Sequence, residues 1–228
     1  MTQAVLKPVT FDEFIDWYPE NSENRYELHN GTIVEMPKAA GEHSEVAGFI
    51  CLKLGIEIER LRLPYFVPKE CVVKADNELS GYEPDAIVLD RQGTDSEPRW
   101  KKQSIITMGS SVRLIVEVVS TNWRDDCGYK LVDCEALGIS EYWIADYLGL
   151  GGRRYIGNPK QPTFSVYHLV DGEYQVSQFR GEDRTLSPTI SQLTLTVQQI
   201  FSGTRCGLNL LASATQVATT QTKSACAD

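Results

Sequence analysis

The chain contains 228 residues, of which 42% are hydrophobic and 23% are charged, as expected for a globular protein that buries its own core. Its net charge of −9 argues against a protein that coats nucleic acid through bulk positive charge. The charge does not exclude a nuclease, because metal-binding carboxylates are themselves negative. No apolar run approaches the ~18 residues that a membrane-spanning helix needs, so we expect no membrane segment.

The first quarter of the chain predicts a helix, a hairpin and a longer helix. A capping box places the start of the first helix at Thr10. Residues 25–36 form two extended runs around an Asn-Gly pair, which predicts a β-hairpin. Apolar residues then recur at helical spacing over residues 42–63, with His43 in phase at the N-terminal end.

The middle of the chain predicts three strands. They cover residues 66–75, 85–90 and 112–119. The turn-rich segment 76–84 separates the first two strands. Residues 91–109 read as a loop that leads into the third strand.

The last part of the chain predicts a second long helix followed by further strands. The helix covers residues 125–137 and ends at Gly138, which suits the position just after a helix. A strand over residues 141–147 and a hairpin over residues 164–179 follow. A short strand and a final turn, over residues 193–201, close the fold.

These elements predict a mixed α/β fold. We expect one mixed central sheet of about seven strands, flanked by the two long helices, with added β-hairpins. Residues 1–201 would form a single domain. Residues 202–228, rich in Ser, Thr, Ala and Gln, would form a mobile tail.

The cysteines and the N-terminus indicate a cytoplasmic protein with reduced thiols. None of the six cysteines is spaced as CxxC, which argues against a zinc site. The N-terminus lacks the apolar segment of a secretory signal.

Two of the predicted strands each carry one carboxylate among aliphatic residues. Asp85 follows a proline at the mouth of its strand, and Glu117 lies within LIVEVVS. Because side chains alternate along strands, the two acids converge if the strands are neighbours in suitable register. Close carboxylates repel unless a cation lies between them, and oxygen ligands suit Mg²⁺ or Mn²⁺. Lys130, on the following helix, could extend its long side chain toward the same point.

These residues resemble the core of the PD-(D/E)xK nuclease superfamily, which has the restriction-endonuclease-like fold, and in particular the bacterial Uma-two family of endonucleases. The matching segments follow the order of that family over about residues 10–200: RYELHNGTIVEM, the His43 helix, EPDAIVL, LIVEVVS, residues 125–130 and ALGISEYWIADY. The lysine of the (D/E)xK motif is replaced by Val119. The Uma-two family takes its lysine from the following helix, which corresponds to Lys130.

The resemblance implies a set of roles for these residues. Asp85 and Glu117 would be metal ligands, with the carbonyl of Val118 as a further ligand and Mg²⁺ or Mn²⁺ as the cofactor. Lys130 would be the catalytic lysine.

Glu27 and His43 match polar positions that the family places near the same pocket, so the resemblance adds both to the catalytic group. Each candidate also has a structural interpretation. Glu27 can pair across its hairpin, and His43 can be a satisfied core histidine. Asp85 can be a turn residue. Glu117 can pair with Arg113 or with the lysine of the next helix, and that lysine can be a solvated residue.

One basic segment with an aromatic residue is a candidate for nucleic-acid binding. It consists of Arg99, Trp100, Lys101 and Lys102, a pattern that suits phosphate contact together with base stacking. The alternative is a solvated loop.

The pattern and the resemblance together predict a Mg²⁺-dependent endonuclease that acts on nucleic acid, with DNA favoured, and that forms a homodimer. One alternative is a catalytically silent module that binds nucleic acid or regulates, which the acidic net charge favours. Another is an enzyme that acts on a different phosphoester, such as a nucleotide.

Overall fold

The computed structural model describes residues 7–19 and 23–203 of the chain. The N-terminal part forms the predicted helix, hairpin and longer helix. These elements are α1 (Phe11–Trp17), β1 (Arg25–His29), β2 (Thr32–Met36) and α2 (Gly41–Leu61). The Thr10 side chain accepts a hydrogen bond from the Glu13 amide, and the Glu13 carboxylate accepts one from the Thr10 amide. The predicted capping box is therefore confirmed.

The hairpin between β1 and β2 turns at the predicted Asn-Gly pair. Asn30 and Gly31 have positive φ angles of 48° and 79°, which suit the twist of a tight β-hairpin. This turn fixes the pairing in which Glu27 lies opposite Val34.

Between α2 and the central strand, the chain forms more elements than predicted: β3 (Tyr65–Phe66), β4 (Val72–Lys74), β5 (Gly81–Tyr82), β6 (Ala86–Asp90), α3 (Arg91–Ser96), α4 (Trp100–Gln103) and β7 (Ile105–Ile106). The prediction of one strand over residues 66–75 was wrong, because the run divides into β3 and β4. The predicted turn segment contains β5, and the predicted loop contains α3, α4 and β7. Elements of two to six residues are too short to show a hydrophobic period.

The C-terminal half contains β8 (Val112–Val118), a π-helical turn (Asp125–Tyr129), α5 (Lys130–Ala136), β9 (Glu141–Asp146), α6 (Arg153–Ile156), β10 (Thr163–Val170), β11 (Glu173–Phe179) and α7 (Val197–Ser202). The order from β8 to β11 is the predicted one, except that the short helix α6 was not predicted. Gly138, with a φ of 79°, ends α5 as predicted. The prediction of a strand and a turn over residues 193–201 was wrong, because Thr196 caps a helix there. Residues 204–228 of the predicted tail lie outside the described residues.

Six strands form the mixed central sheet that the sequence predicts, in the order β11-β10-β9-β8-β6-β3. Strands β8 and β9 are parallel, and the other neighbours are antiparallel. The remaining strands form a second sheet, in the order β2-β1-β5-β4-β7. This sheet extends the predicted hairpin with three strands of two or three residues, which the sequence pattern did not reveal.

The two long helical segments pack on opposite faces of the central sheet. Val46 of α2 belongs to a buried cluster with Val116 of β8. Cys134 of α5 belongs to a second cluster with Ile115. Because side chains alternate along a strand, Glu117 shares the face of Ile115 and lies beneath the second helical segment.

The cysteines in the described residues form no disulfide. The free thiols are Cys51, Cys71, Cys127 and Cys134. Cys206 and Cys226 lie outside the described residues.

Candidate active site

The register between β6 and β8 brings two acids together. These strands are antiparallel, with Ala86 opposite Val116, so Asp85, one residue earlier, reaches the level of Glu117. Oδ2 of Asp85 accepts a 2.9 Å hydrogen bond from the amide of Val118. Asp85 and Glu117 both line one cavity of about 290 Å³, together with Val118 and Val119 at the end of β8.

His43, at the N-terminal end of α2, orients Asp85. Its Nε2 lies 2.8 Å from the carbonyl oxygen of Val118 and 3.2 Å from Oδ2 of Asp85. Because a carbonyl only accepts hydrogen bonds, Nε2 carries a hydrogen that it shares between these oxygens. The hydrogen bond to Asp85 raises the pKa of His43, and burial opposes that effect. The carbonyl of Val118 therefore accepts a hydrogen bond from His43 in this structure.

Lys130 enters the site from the start of α5 and lies among three acids. Its Nζ is 3.0 Å from Oε1 of Glu27, 3.3 Å from Oε1 of Glu117 and 3.5 Å from Oδ1 of Asp126. The lysine side chain is only 3% exposed, so it is not a solvated helix residue. We refer to these four residues as the lysine cluster.

The hairpin strand β1 anchors the lysine cluster through Glu27. Oε1 of Glu27 accepts a 3.0 Å hydrogen bond from the Glu83 amide, and Oε2 lies 2.8 Å from Nε2 of His29. Glu27 is completely buried. Its partners come from β1, from the chain just before β6, and from α5. Glu27 does not itself line the cavity and is linked to it through Lys130.

Burial and mutual charge divide the cluster into acids with raised and lowered pKa. Burial raises the pKa of Glu117 well above its usual range, and the negative Asp126 and Asp85 add to this against the effect of Lys130. Burial likewise raises the pKa of Asp126 to about 6. Burial opposes ionisation of Glu27 too, but Lys130, His29 and the Glu83 amide lower its pKa to about 2.

Lys130 remains a cation in this setting. Burial alone would lower its pKa, but the charges of Glu117, Glu27 and Asp126 raise the pKa well above its usual value. The raised pKa of Glu117 and of Asp126 reflects the cost of ionising further acids in this buried cluster, and a further cation would reduce that cost.

Replacing Asp126 with asparagine is expected to stabilise the protein near neutral pH. The pKa of Asp126 rises from 3.8 to about 6 on folding, so ionisation of this group costs stability as pH rises from about 4 to about 6. We expect a gain of about 1–3 kcal/mol at pH 7.5 and little gain at pH 4. Urea unfolding at both pH values measures this, with Asp125→Asn as the control for charge. An unchanged stability at pH 7.5 would contradict the raised pKa.

The donor set at the cavity fits Mg²⁺. The hydrogen bonds of the described residues engage Oδ2 of Asp85 and Oε1 of Glu117, which leaves the other oxygen of each carboxylate for a ligand. No group of three or more His, Cys, Asp or Glu side chains positioned to hold an ion occurs within residues 7–19 and 23–203. Mg²⁺ does not require such a cage, because it is commonly held by one or two carboxylates and completes its coordination with water.

Three residues of the site were missed by sequence reasoning. Asp126 lies four residues before Lys130, and this i, i+4 spacing could have placed both on one helix face. His29 lies two residues after Glu27, so strand alternation could have placed it on the same face. Arg25 lines the cavity, and its guanidinium donates to the carbonyl of Glu83.

The structure does not bring the predicted nucleic-acid segment, residues 99–102, to this cavity. Arg99 forms an ion pair of 2.6 Å with Asp12. The ring of Trp100 packs against Phe66, with centroids 5.7 Å apart. Lys101 and Lys102 are exposed. The prediction that this segment binds nucleic acid remains a prediction.

The fold and this site define the class of protein: a mixed α/β chain of the restriction-endonuclease-like type, with an acid–lysine cavity at the end of its central strands. A family model described as "Uma2: Putative restriction endonuclease" matches residues 11–198. The chain belongs to this family, as the resemblance in its sequence implied.

One solved structure has the same fold. Its title reads "Crystal structure of a putative nuclease belonging to DUF820 from Anabaena variabilis ATCC 29413". The match covers 86% of this chain and 98% of the other, with a TM-score of 0.66 and 19% sequence identity. No curated protein matches the chain. None of the described helices combines the length and hydropathy of a bilayer-crossing segment.

Proposed function

We propose that this protein is a metal-dependent endonuclease that hydrolyses phosphodiester bonds in nucleic acid, with DNA as the favoured substrate and Mg²⁺ or Mn²⁺ as cofactor. The observation that carries the proposal is that Asp85, Glu117 and the buried Lys130 line one cavity. Membership of a family described as restriction endonucleases supports it.

Asp85, Glu117 and the carbonyl of Val118 would hold the ion, which would polarise the scissile phosphate and lower the pKa of a water molecule. The chain's own residues prepare this arrangement. The Val118 amide and His43 hold the carboxylate of Asp85 in one orientation. Preorganised ligands of this kind lose little entropy when a cation binds.

Lys130 would stabilise the negative charge that develops on the phosphate. Its ammonium group stays charged, and it lies in a buried site where charge interactions are stronger than in water. Glu27 holds Lys130 in place, because Glu27 is itself fixed by His29 and by the Glu83 amide. Glu27 is thus a positioning residue, and Lys130 is the group that would contact the substrate.

Arg25 provides a second cation at the mouth of the cavity. Its guanidinium is 3.5 Å from Oε2 of Glu83, and its side chain is 45% exposed. A guanidinium in this position can contact a phosphate oxygen through a planar pair of donors.

A plasmid assay tests the proposed function. Supercoiled DNA is incubated with the protein in Mg²⁺, in Mn²⁺ and in EDTA, and conversion to open-circle and linear forms is measured. We expect cleavage with either metal and none in EDTA. A parallel panel of single-stranded DNA, RNA and a nucleotide phosphodiester distinguishes the substrate classes.

Several results would overturn the proposal. Binding of nucleic acid without cleavage in either metal would favour a silent binding module, and cleavage confined to the nucleotide ester would favour a small-molecule phosphodiesterase. The homodimer that the family resemblance implies belongs to the same proposal. Light scattering of the purified protein tests it, and a monomer at the assay concentration would refute it.

A further inference from the structure

An open groove of about 500 Å³ lies beside the active-site cavity and is lined by aromatic side chains. Trp123, Tyr129 and Tyr155 line it together with Arg124. Tyr129 is 58% exposed, and the ring of Trp123 is 6.2 Å from that of Tyr155 in an edge-to-face arrangement. We refer to these four residues as the aromatic groove.

The aromatic groove adjoins the cavity along the chain. Asn122 lines the cavity and the next residue, Trp123, lines the groove, so consecutive Cα atoms, about 3.8 Å apart, belong to the two sites. The π-helical turn also links them, since Asp126 lines the cavity and Tyr129 lines the groove. A polymer bound in the cavity extends beyond it, and the groove is the neighbouring surface with aromatic side chains.

Lys160 contacts one lining residue of each site. Its Nζ donates a 2.9 Å hydrogen bond to the carbonyl of Leu150, which lines the cavity. The same Nζ lies 5.8 Å from the ring centroid of Trp123, and the guanidinium of Arg124 lies 4.9 Å from that ring. Two cations therefore lie close to one indole of the groove.

Four cations, which we call the basic rim, lie in the groove or close to its residues, although the whole chain is acidic. Arg124 lines the groove, Arg153 and Arg154 precede Tyr155 in the chain, and Lys160 lies near Trp123. Arg124, Arg153, Arg154 and Lys160 are exposed, and none forms an ion pair among the residues that the structure describes. Asp133 also lines the groove, but its carboxylate accepts a hydrogen bond from the hydroxyl of Tyr82. Exposed cations beside aromatic rings complement a phosphate backbone with accessible bases.

We propose that the aromatic groove and its basic rim bind the unpaired nucleotides that adjoin the scissile phosphate. This inference rests on the proposed nuclease function and adds that the nucleotides beside the scissile phosphate are unpaired, as they are in a single strand, at an unpaired end or in a locally melted segment of supercoiled DNA. Bases inside a duplex are already stacked, so only unpaired bases offer a face to Tyr129 and its neighbours.

A matched pair of charge reversals tests the location of this surface. Arg153→Glu/Arg154→Glu changes two adjacent cations on the four-residue helix α6, and Lys101→Glu/Lys102→Glu changes two on the four-residue helix α4. Both variants alter net charge equally. Affinity for a fluorescein-labelled single strand is measured by anisotropy in EDTA, so no cleavage occurs. We expect at least a tenfold loss for the α6 variant and at most about a twofold loss for the α4 variant.

Tyr129→Ala tests base stacking, because this exposed side chain can be removed without disturbing the core. We expect about a tenfold loss of affinity for the single strand and no loss for the matching duplex. Thermal melting of each variant, compared with that of the wild type, confirms folding.

Four outcomes would overturn the inference: no binding of the single strand, equal losses for the two charge reversals, a larger loss for the α4 variant, or equal effects of Tyr129→Ala on single strand and duplex. Failure of the nuclease proposal is distinguishable from these. Binding that depends on the aromatic groove, without cleavage in any metal, would leave this inference standing and refute catalysis.

Discussion

Replacing Lys130 with methionine is expected to cost about 3–5 kcal/mol of stability at pH 7.5, because it leaves buried carboxylates without their cation. Glu27 and Glu117 are both almost fully buried and both lie within 3.3 Å of the lysine nitrogen. Methionine fills a similar volume, so the loss of stability comes mainly from the lost charge and not from lost packing. Since domains are stable by only about 5–15 kcal/mol, this single change removes a large part of the total.

The cost of Lys130→Met should depend on pH. In the wild type, the pKa of Glu27 is lowered from 4.5 to about 2, so its stabilising contribution is complete above about pH 4.5 and is lost as pH falls toward 2. The Lys130→Met variant lacks this contribution. Its buried carboxylates have no cation beside them, so their ionisation destabilises the folded state more as pH rises. The difference between the two proteins should therefore grow with pH.

Urea unfolding of the wild type and of Lys130→Met at pH 4 and pH 7.5 measures this difference. Lys101→Met is the control, because that lysine is exposed, and it should change stability by less than about 0.5 kcal/mol. Equal stability of wild type and Lys130→Met at pH 7.5 would show that the lysine cluster is not formed in solution.

Replacing Asp85 with asparagine is expected to lower metal-dependent cleavage by about 10²–10⁴-fold, which corresponds to the several kcal/mol that a bound metal contributes. Asparagine retains an oxygen that can accept from the Val118 amide, so the strand end should keep its structure. It removes the charge that would bind the cation. Cleavage should be impaired while stability changes little.

Asp95→Asn is the matched control for Asp85→Asn. Asp95 is exposed on α3 and does not line the cavity. This variant should cleave plasmid at the wild-type rate. Because both proteins are purified identically, equal activity of Asp85→Asn and wild type would trace the cleavage to a contaminant or to another site.

The acids of the site could be predicted because each depends on a local rule. Asp85 directly precedes one aliphatic strand and Glu117 lies within another, and strand alternation places Glu117 on a defined face. Pairing of β6 with β8 then brings the two together. Lys130 follows on the next helical segment, whose apolar face sets its direction.

The contacts that escaped prediction join residues far apart in sequence. Trp100 packs on Phe66, and Arg99 pairs with Asp12. Nothing in the local pattern of residues 99–102 encodes those partners. The strands β5 and β7 were missed because each has only two residues, which is too few to show the alternation of apolar and polar side chains that identifies a strand.

The groove beside the active site also could not be read from the sequence. Trp123, Tyr129 and Tyr155 are spread over three elements, and only the packing of the loop after β8 against α6 brings them together. Gly152 allows this approach, since a Cβ there would lie 2.8 Å from the indole of Trp123. A spacing pattern contains no signal for such a contact.

Anomalous diffraction from crystals soaked in Mn²⁺ tests whether Asp85 and Glu117 hold one metal ion. We expect one strong manganese peak in the cavity, about 2–2.3 Å from a carboxylate oxygen of both Asp85 and Glu117. The nitrogen of Lys130 should remain beside Glu117. A cavity without a peak at saturating Mn²⁺, or a peak bound by neither acid, would contradict this expectation.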